Sequence, residues 1–281
     1  MWPLASPTRL VGSVLTTCVS NIADPAAKTA YEDTGPLLLA AEDRFRTAAQ
    51  NNFLYQFPTT TMVGTRTAKQ MGWLYTHKMA DPKAPGRAIY DEIRMASPNG
   101  RCPLCGRGVV YTLDHHLPKA HYPDLALTPI NLVPACQDCN KNKTSASPAM
   151  AAEETLHPYF DNVEGDIWLH ARVIEVAPAA VFFSVVPPAM WSPTLALRVR
   201  NHFNIYRLRP LYASLAAEEV SNIRALLAGP HARSGPQGVR EYLTSVSASH
   251  RETRRNTWQA AAYSAMASSD WYCAGGFALR G

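Results

Sequence analysis

Two pairs of cysteines are the clearest chemical feature of this 281-residue chain. Each pair forms a Cys-x-x-Cys motif, and thirty residues separate the two motifs, which contain Cys102, Cys105, Cys136 and Cys139. Four thiolates at this spacing can surround one tetrahedral zinc ion, because zinc accepts soft sulfur ligands in that geometry. The segment has few bulky apolar residues, and a bound zinc ion would supply about 10 kcal/mol of its folding energy. We therefore predict one structural zinc ion.

The thirty-residue gap contains residue types suited to a second kind of chemistry. A strand predicted at 109–113 runs into Asp114 and His115, and Asn131 begins a second short extended segment. Cleavage of a phosphodiester requires an activated water and positive charge at the phosphate. A histidine can take a proton from the water, since its pKa is near neutral. A carboxylate and one neutral ligand can hold a divalent cation while leaving positions open for water and phosphate.

This layout resembles the ββα-metal finger of the HNH endonuclease family over residues 101–147. The resemblance rests on three stretches of sequence: Leu113-Asp114-His115, Asn131-Leu132 and the run from Cys136 to Lys143, in which a helix is predicted from 137. The resemblance implies that His115 is the general base and that Asp114 is a ligand of a catalytic cation. It also implies that the Asn131 amide ties down the loop that presents the histidine.

Asn140 departs from the pattern that gives the family its name, because a histidine is expected there as the second ligand of the cation. The chain resembles the HNN variant, in which asparagine stands at this position. An amide oxygen is a hard donor, so the resemblance implies Mg²⁺ or Mn²⁺ as the catalytic cation beside the structural zinc. The alternative is a zinc-stabilised module that binds nucleic acid or assembles a complex without catalysis. Such a module has no reason to carry Asp114, His115 and Asn140 together.

For each of the other polar residues of the finger, the sequence allows two roles. His116 is a packing or phosphate-facing residue, and it becomes the candidate base if the loop is turned. Lys119, Lys141 and Lys143 are candidates for contacts with nucleic-acid phosphates. Lysines on a solvated face are equally common, so the sequence leaves both roles open for each of the three.

The regions on either side of the finger are predicted to be mostly helical, which makes the whole chain α+β. We divide the chain into an N-terminal helical region at 1–100, the finger at 101–147 and a C-terminal region at 148–281. We expect residues 1–35 to form loops with one short helix. Further helices are expected from 37, at 67–79, at 88–96, from 193, at 210–227, at 237–250 and at 254–268. The helix from 37 is expected to place these residues on one apolar face: Leu37, Leu38, Ala41, Phe45, Ala48 and Ala49. In the helix at 88–96 we expect Ile89, Ile93 and Ala96 to face inward. Two strands are expected within 168–186, and Gly229-Pro230 is expected to end the helix over 210–227.

Composition excludes several classes of protein. A chain that is 47% hydrophobic and 17% charged can bury a core, which excludes a disordered tail protein. No run of eighteen apolar residues is present, and no basic segment precedes the first apolar stretch, so we expect a cytoplasmic protein without membrane spans. A net charge of +5 is compatible with nucleic acid as a partner.

The family resemblance implies a metal-dependent endonuclease that hydrolyses DNA and leaves 5′-phosphate products. A zinc-knuckled finger between helical flanks also resembles the nucleases of bacterial anti-phage systems, such as the nuclease subunit of Septu. That likeness implies a role in defence, with an ATPase or another protein subunit as partner.

Overall fold

The computed structural model describes residues 1–143 and 147–280, so residues 144–146 of the predicted finger lie outside the described part. The chain divides into two compact units, Met1–Asn162 and Val163–Gly281. The first unit contains both the finger and the helices that precede it. The proposed division of the chain into three segments stays a prediction.

In its described residues, the first unit combines six α-helices with two small antiparallel sheets. Its helices are α1 Val11–Val19, α2 Pro25–Glu32, α3 Gly35–Gln50, α4 Ala68–Tyr75, α5 Arg87–Met95 and α6 Gln137–Lys143. Its strands are β1 Met62–Val63, β2 Arg66–Thr67, β3 Thr112–His115 and β4 Leu132–Ala135. A π-helical turn, Thr76–Ala80, continues α4.

The expectation of a single short helix in residues 1–35 is wrong, because both α1 and α2 form there. Helix α1 buries Val11, Val14, Leu15 and Cys18, which follow one helical face. Helix α2 begins at a proline, and the side chain of Asp24 caps it by accepting a hydrogen bond from the backbone of Ala26. Both helices are short, and their signals are correspondingly weak in the sequence.

Helices α3 and α5 follow the predicted segments closely. Helix α3 buries Leu38 and Phe45, whereas Leu37 of the predicted apolar face is 47% exposed. Helix α5 buries Ile89 and Ile93 as expected, but Ala96, which was expected to face inward, lies beyond the helix and is exposed. The chain turns away after Met95, so the helical face does not continue to that position.

The finger forms the predicted order of strand, loop, strand and helix. Strands β3 and β4 pair antiparallel, and His115 lies opposite Leu132 at the end of the register. The first strand starts later than expected, because Val109 pairs only with Arg101 in an isolated bridge. The cysteine knuckle between Arg101 and Val109 folds the chain back on itself there. Helix α6 begins at residue 137, as predicted.

One apolar core joins the finger to the helices before it. Leu113 and Leu132 of the finger are buried in the same cluster as Met71 of α4 and Ile93 of α5. The N-terminal helices therefore form part of the support for the finger.

The described part of the second unit, residues 163–280, contains a β-hairpin and four α-helices. Its elements are β5 Leu169–Ile174, β6 Ala180–Val185, α7 Pro193–Ile205, α8 Leu208–Thr253, α9 Trp258–Ser268 and α10 Asp270–Cys273. The two strands pair antiparallel over their whole length. The Ser192 side chain caps α7 by accepting from the backbone of Leu195, as expected for serine before an N-terminal proline.

Helix α8 does not end at Gly229-Pro230, so that expectation is wrong. The helix continues to Gly235, where φ is 60° and ψ is −148°, and then resumes. A proline removes one backbone N–H but a helix can continue past it, whereas the conformation at Gly235 is one that only glycine adopts readily. The mixed helix-and-strand fold is confirmed, and no helix in the described residues is long and apolar enough to cross a membrane.

Candidate active site and zinc centre

The four paired cysteines come together in the first unit. Their sulfur atoms all lie within 4.8 Å of one another, and all four residues are buried. The sulfur atoms of Cys105 and Cys136 are 3.9 Å apart. Zn–S bonds of about 2.3 Å in a tetrahedron place sulfur atoms about 3.8 Å apart, so the cluster fits one zinc ion.

Two glycines allow the zinc knuckle to form. Gly106 follows Cys105 with a φ of +67°, a conformation that favours glycine. Gly108 packs so closely that a Cβ atom there would lie 2.6 Å from the Cβ atom of Cys136. Its N–H also donates a hydrogen bond of 3.3 Å to the sulfur of Cys105. The two glycines that follow the first cysteine pair are thus a further signal in the sequence for this cysteine cluster.

A cleft of about 320 Å³ brings three predicted site residues together: Asp114, His115 and Asn140. Asp114 and His115 come from the end of β3, and Asn140 comes from α6, immediately after a cysteine of the zinc cluster. Lys119 also lines this cleft. The residues that line the cleft therefore include an aspartate, a histidine, an asparagine and a lysine.

The ring of His115 is held in one tautomer by the backbone. Its Nε2 lies 2.9 Å from the carbonyl oxygen of Ala126. A carbonyl only accepts, so Nε2 carries the hydrogen and Nδ1 is the basic nitrogen of the neutral ring. Burial, together with repulsion from the Lys119 ammonium, lowers the pKa of His115 to about 3. The imidazole is therefore neutral at physiological pH, and the same burial makes it a weaker base than a solvated histidine.

Asp114 forms a buried ion pair with Lys143. The Nζ atom of Lys143 lies 2.9 Å from Oδ2 of Asp114 and also donates a hydrogen bond to the carbonyl oxygen of His115. Burial raises the pKa of Asp114, and the Lys143 ammonium opposes that rise. Of the two roles left open for Lys143, a solvated lysine does not match this geometry, since the residue is only 9% exposed.

Asn131 is fully buried and joins both ends of the loop between the finger strands. Its Oδ1 accepts from the backbone N–H of Leu117 at 2.7 Å. Its Nδ2 donates to the carbonyl oxygens of Leu117 and Leu125, at 3.0 and 3.2 Å. The bond to Leu125 holds the residue directly before Ala126, whose carbonyl orients the ring of His115. The two bonds to Leu117 hold the start of the loop.

The remaining candidates occupy different surroundings. The ring of His116 packs against the ring of His157, with centroids 4.2 Å apart, and it is not among the described residues that line the cleft. Lys141 is exposed on α6. The Nζ atom of Lys119 lies 5.2 Å from the centroid of the Tyr75 ring, and burial lowers the pKa of this lysine.

Two tyrosines of the N-terminal helices complete the cleft, and the sequence did not reveal them. The Tyr75 ring meets the ring of His115 edge-on, with centroids 4.4 Å apart. The hydroxyl of Tyr90 accepts a hydrogen bond from the backbone N–H of Leu113 at 3.2 Å. Tyr75 precedes the π-helical turn, and Thr76 of that turn also lines the cleft. π-helical turns are frequent at functional sites, but a sequence pattern does not reveal them.

Two residues of the cleft have side-chain oxygen atoms of the kind that bind divalent cations. Asp114 and Asn140 offer a carboxylate and an amide oxygen, which suit hard divalent cations such as Mg²⁺ and Mn²⁺. Asn140 is only partly buried at the cleft wall, which leaves space for water and phosphate. Two protein ligands are enough for Mg²⁺, since this ion usually keeps several of its waters.

Comparison with known proteins agrees with this picture of the finger. Residues 102–146 match the HNH endonuclease family. The chain is 30% identical over 237 residues to Protein ea31 of Escherichia phage lambda, and the match covers 79% of each protein. No solved structure matches the chain.

The four thiolates should hold about one zinc ion per chain. Replacement of Cys139 by serine should release the metal and unfold the finger, because a structural zinc ion supplies folding energy. Metal analysis of purified protein and circular dichroism would measure both effects. Cys18→Ala is the matched control, since Cys18 is buried outside the cluster and its loss should leave the zinc content unchanged. A folded, zinc-free and active Cys139→Ser protein would contradict the assignment.

Lys143→Met should lower the free energy of unfolding by about 3–5 kcal/mol, because it leaves the Asp114 carboxylate buried without its cation. Adding Asp114→Asn to that variant should recover part of the loss, since the buried charge is then gone. Urea denaturation would measure both variants. Lys141→Met is the control and should change stability by no more than about 0.5 kcal/mol, because Lys141 is exposed. Equal changes in the free energy of unfolding for the two lysine variants would show that the ion pair of Lys143 with Asp114 does not stabilise the fold.

Proposed function

Because this chain belongs to the family of the phage lambda protein ea31 and carries an HNH endonuclease domain, we propose that it is a metal-dependent endonuclease that hydrolyses DNA. The observation that carries the proposal is the placement of Asp114, His115 and Asn140 around one cleft next to the cysteine cluster. These residue types supply a base and two oxygen ligands, which is the set that phosphodiester hydrolysis requires.

His115 acts as the general base in this proposal. Its Nδ1 takes a proton from the attacking water, whose oxygen bonds to phosphorus while the bond from phosphorus to the 3′-oxygen breaks. The hydrogen bond from Nε2 to the Ala126 carbonyl becomes stronger as the ring gains positive charge, so the backbone stabilises the protonated base. The leaving 3′-oxygen takes up a proton from the solvent, so the products are a 3′-hydroxyl and a 5′-phosphate.

Asp114 and Asn140 are the proposed ligands of the divalent cation. When bound, that cation would supply positive charge to the crowded phosphate and to the leaving oxygen. Lys143 holds the Asp114 carboxylate through Oδ2 and thereby fixes its orientation at the cleft wall. Lys119 lines the same cleft and is our candidate for a contact with a phosphate of the substrate.

The second candidate function is a zinc-stabilised module that binds nucleic acid without cutting it. The cleft argues against this reading, because a purely structural finger needs neither a histidine in a fixed tautomer nor a neighbouring carboxylate. The biological setting in anti-phage defence, with an ATPase or another protein subunit, stays a prediction from the resemblance of the layout.

His115→Ala should reduce nicking of a supercoiled plasmid by about a hundredfold to ten-thousandfold, the usual contribution of a general base. The parent protein should nick the plasmid with Mg²⁺ and fail to do so with EDTA. His116→Ala is the matched control and should cost much less, because its ring packs on His157 outside the cleft. A larger loss in His116→Ala than in His115→Ala would show that His116, and not His115, is the base. A parent protein that does not nick the plasmid with Mg²⁺ would favour the non-catalytic module.

Asn140 should set the metal preference of the nuclease. Asn140→Ala should lose most activity, because the cation then has only Asp114 as a protein ligand. Asn140→His should retain activity and shift the best metal towards Ni²⁺ or Co²⁺, since nitrogen donors favour these ions. The zinc content of both variants should stay unchanged, because Asn140 lies outside the thiolate cluster. Full Mg²⁺-dependent nicking by Asn140→Ala would remove this residue from the site.

A further inference from the structure

The positive charge of the chain is concentrated in the second unit. From Val163 onward the sequence has twelve arginines, no lysine and eight acidic residues, so this unit carries four of the five net positive charges. Arginine presents a planar fork of donors that matches a phosphate oxygen pair, and it is preferred over lysine where phosphates are gripped in a fixed geometry. The basic residues of this unit are therefore all of the type that suits phosphate binding.

Two adjoining cavities of the second unit form one groove between the edge of β5 and the helices α8 and α9. Their volumes are about 360 and 390 Å³, and they share Arg251, Ser264 and Ser268 in their walls. We name this surface the arginine groove; its cationic lining residues are Arg172, Arg240 and Arg251. His170 adds a further ring nitrogen at the β5 edge.

Two of these arginines have no carboxylate partner among the described residues, which makes their charge available to a ligand. The guanidinium of Arg251 is held by a hydrogen bond of 3.0 Å from Nη1 to the carbonyl oxygen of Arg255. The guanidinium of Arg172 lies 4.9 Å from the centroid of the Phe182 ring, its cross-strand neighbour. A carbonyl and an aromatic ring orient these groups without neutralising them.

The other charged residues of the groove reduce its net charge only in part. Arg240 already pairs with Asp270 and also donates to the carbonyl oxygen of Ala267. Glu175 is the acidic residue in the described lining, and its carboxylate accepts a hydrogen bond from Ser269. Arg172 and Arg251 therefore leave the groove with a positive excess over Glu175.

We propose that the arginine groove binds the phosphodiester backbone of DNA, with Arg172 and Arg251 each contacting a phosphate. This inference rests on the proposed nuclease function, and it assigns to the second unit the non-specific grip on the substrate. The cleft of the finger is small and would contact mainly the phosphate that is cleaved. Much of the affinity of proteins for DNA comes instead from contacts with several phosphates along the duplex.

The test uses the full-length chain with His115→Ala and EDTA, so that a labelled duplex of about 25 base pairs is not cut. Fluorescence anisotropy measures its binding over a series of salt concentrations. The double variant Arg172→Gln and Arg251→Gln should bind about tenfold or more weakly at low salt. It should also lower the slope of log K against log salt by about two, since each lost phosphate contact removes roughly 0.9.

The matched control is the double variant Arg233→Gln and Arg280→Gln, which removes the same charge from exposed positions of the same unit outside the groove. Its affinity and salt slope should stay close to those of the parent. Arg172→Lys with Arg251→Lys should keep the salt slope, because both charges remain, and circular dichroism of each variant checks that it folds.

Equal binding by the groove variant and the control variant would overturn the groove assignment while leaving the nuclease proposal intact. If the double glutamine variant unfolds, the single variants Arg172→Gln and Arg251→Gln replace it, and salt slopes equal to that of the parent in both would overturn the groove assignment. A parent protein that neither binds nor nicks DNA would instead overturn the nuclease proposal, and with it the premise of the groove.

Discussion

Four buried sulfur atoms within 4.8 Å of one another are the constraint on which the finger depends. Thiolates in such a cluster repel one another unless a cation lies between them, so the centre and its metal must form together. The second cysteine pair joins β4 to α6, and Asn140 directly follows Cys139 on that helix. The cysteine cluster thereby also fixes the position of Asn140 on the cleft that Asp114 and His115 line.

The cleft depends equally on residues outside the finger. Tyr75 and Tyr90 share an apolar core with Leu113 of β3, and Tyr75 meets the ring of His115. The first unit contains the proposed catalytic residues, and the second unit carries most of the excess positive charge. Hydrolysis and substrate binding should therefore respond to different substitutions.

Local sequence signals were enough for part of this structure. The Cys-x-x-Cys pairs predicted the sulfur cluster, and the polar run after Cys136 predicted α6 at its observed position. Contacts between side chains that are distant in sequence could not be predicted. Nothing in the spacing indicates that Lys143 pairs with Asp114, because a buried ion pair depends on how β3 and α6 pack. The passage of α8 through Pro230 was missed for a related reason, since packing against other elements can override a local helix-breaking signal.

The central claim is that Asp114 and Asn140 hold a catalytic cation that is separate from the structural zinc. Anomalous X-ray diffraction from crystals soaked in MnCl₂ tests it most directly, with data collected at the manganese and zinc absorption edges. We expect a zinc peak among the four cysteine sulfurs and a manganese peak between the Asp114 carboxylate and the Asn140 amide oxygen. A manganese peak that lies elsewhere, or a cleft without one at saturating Mn²⁺, would contradict the claim.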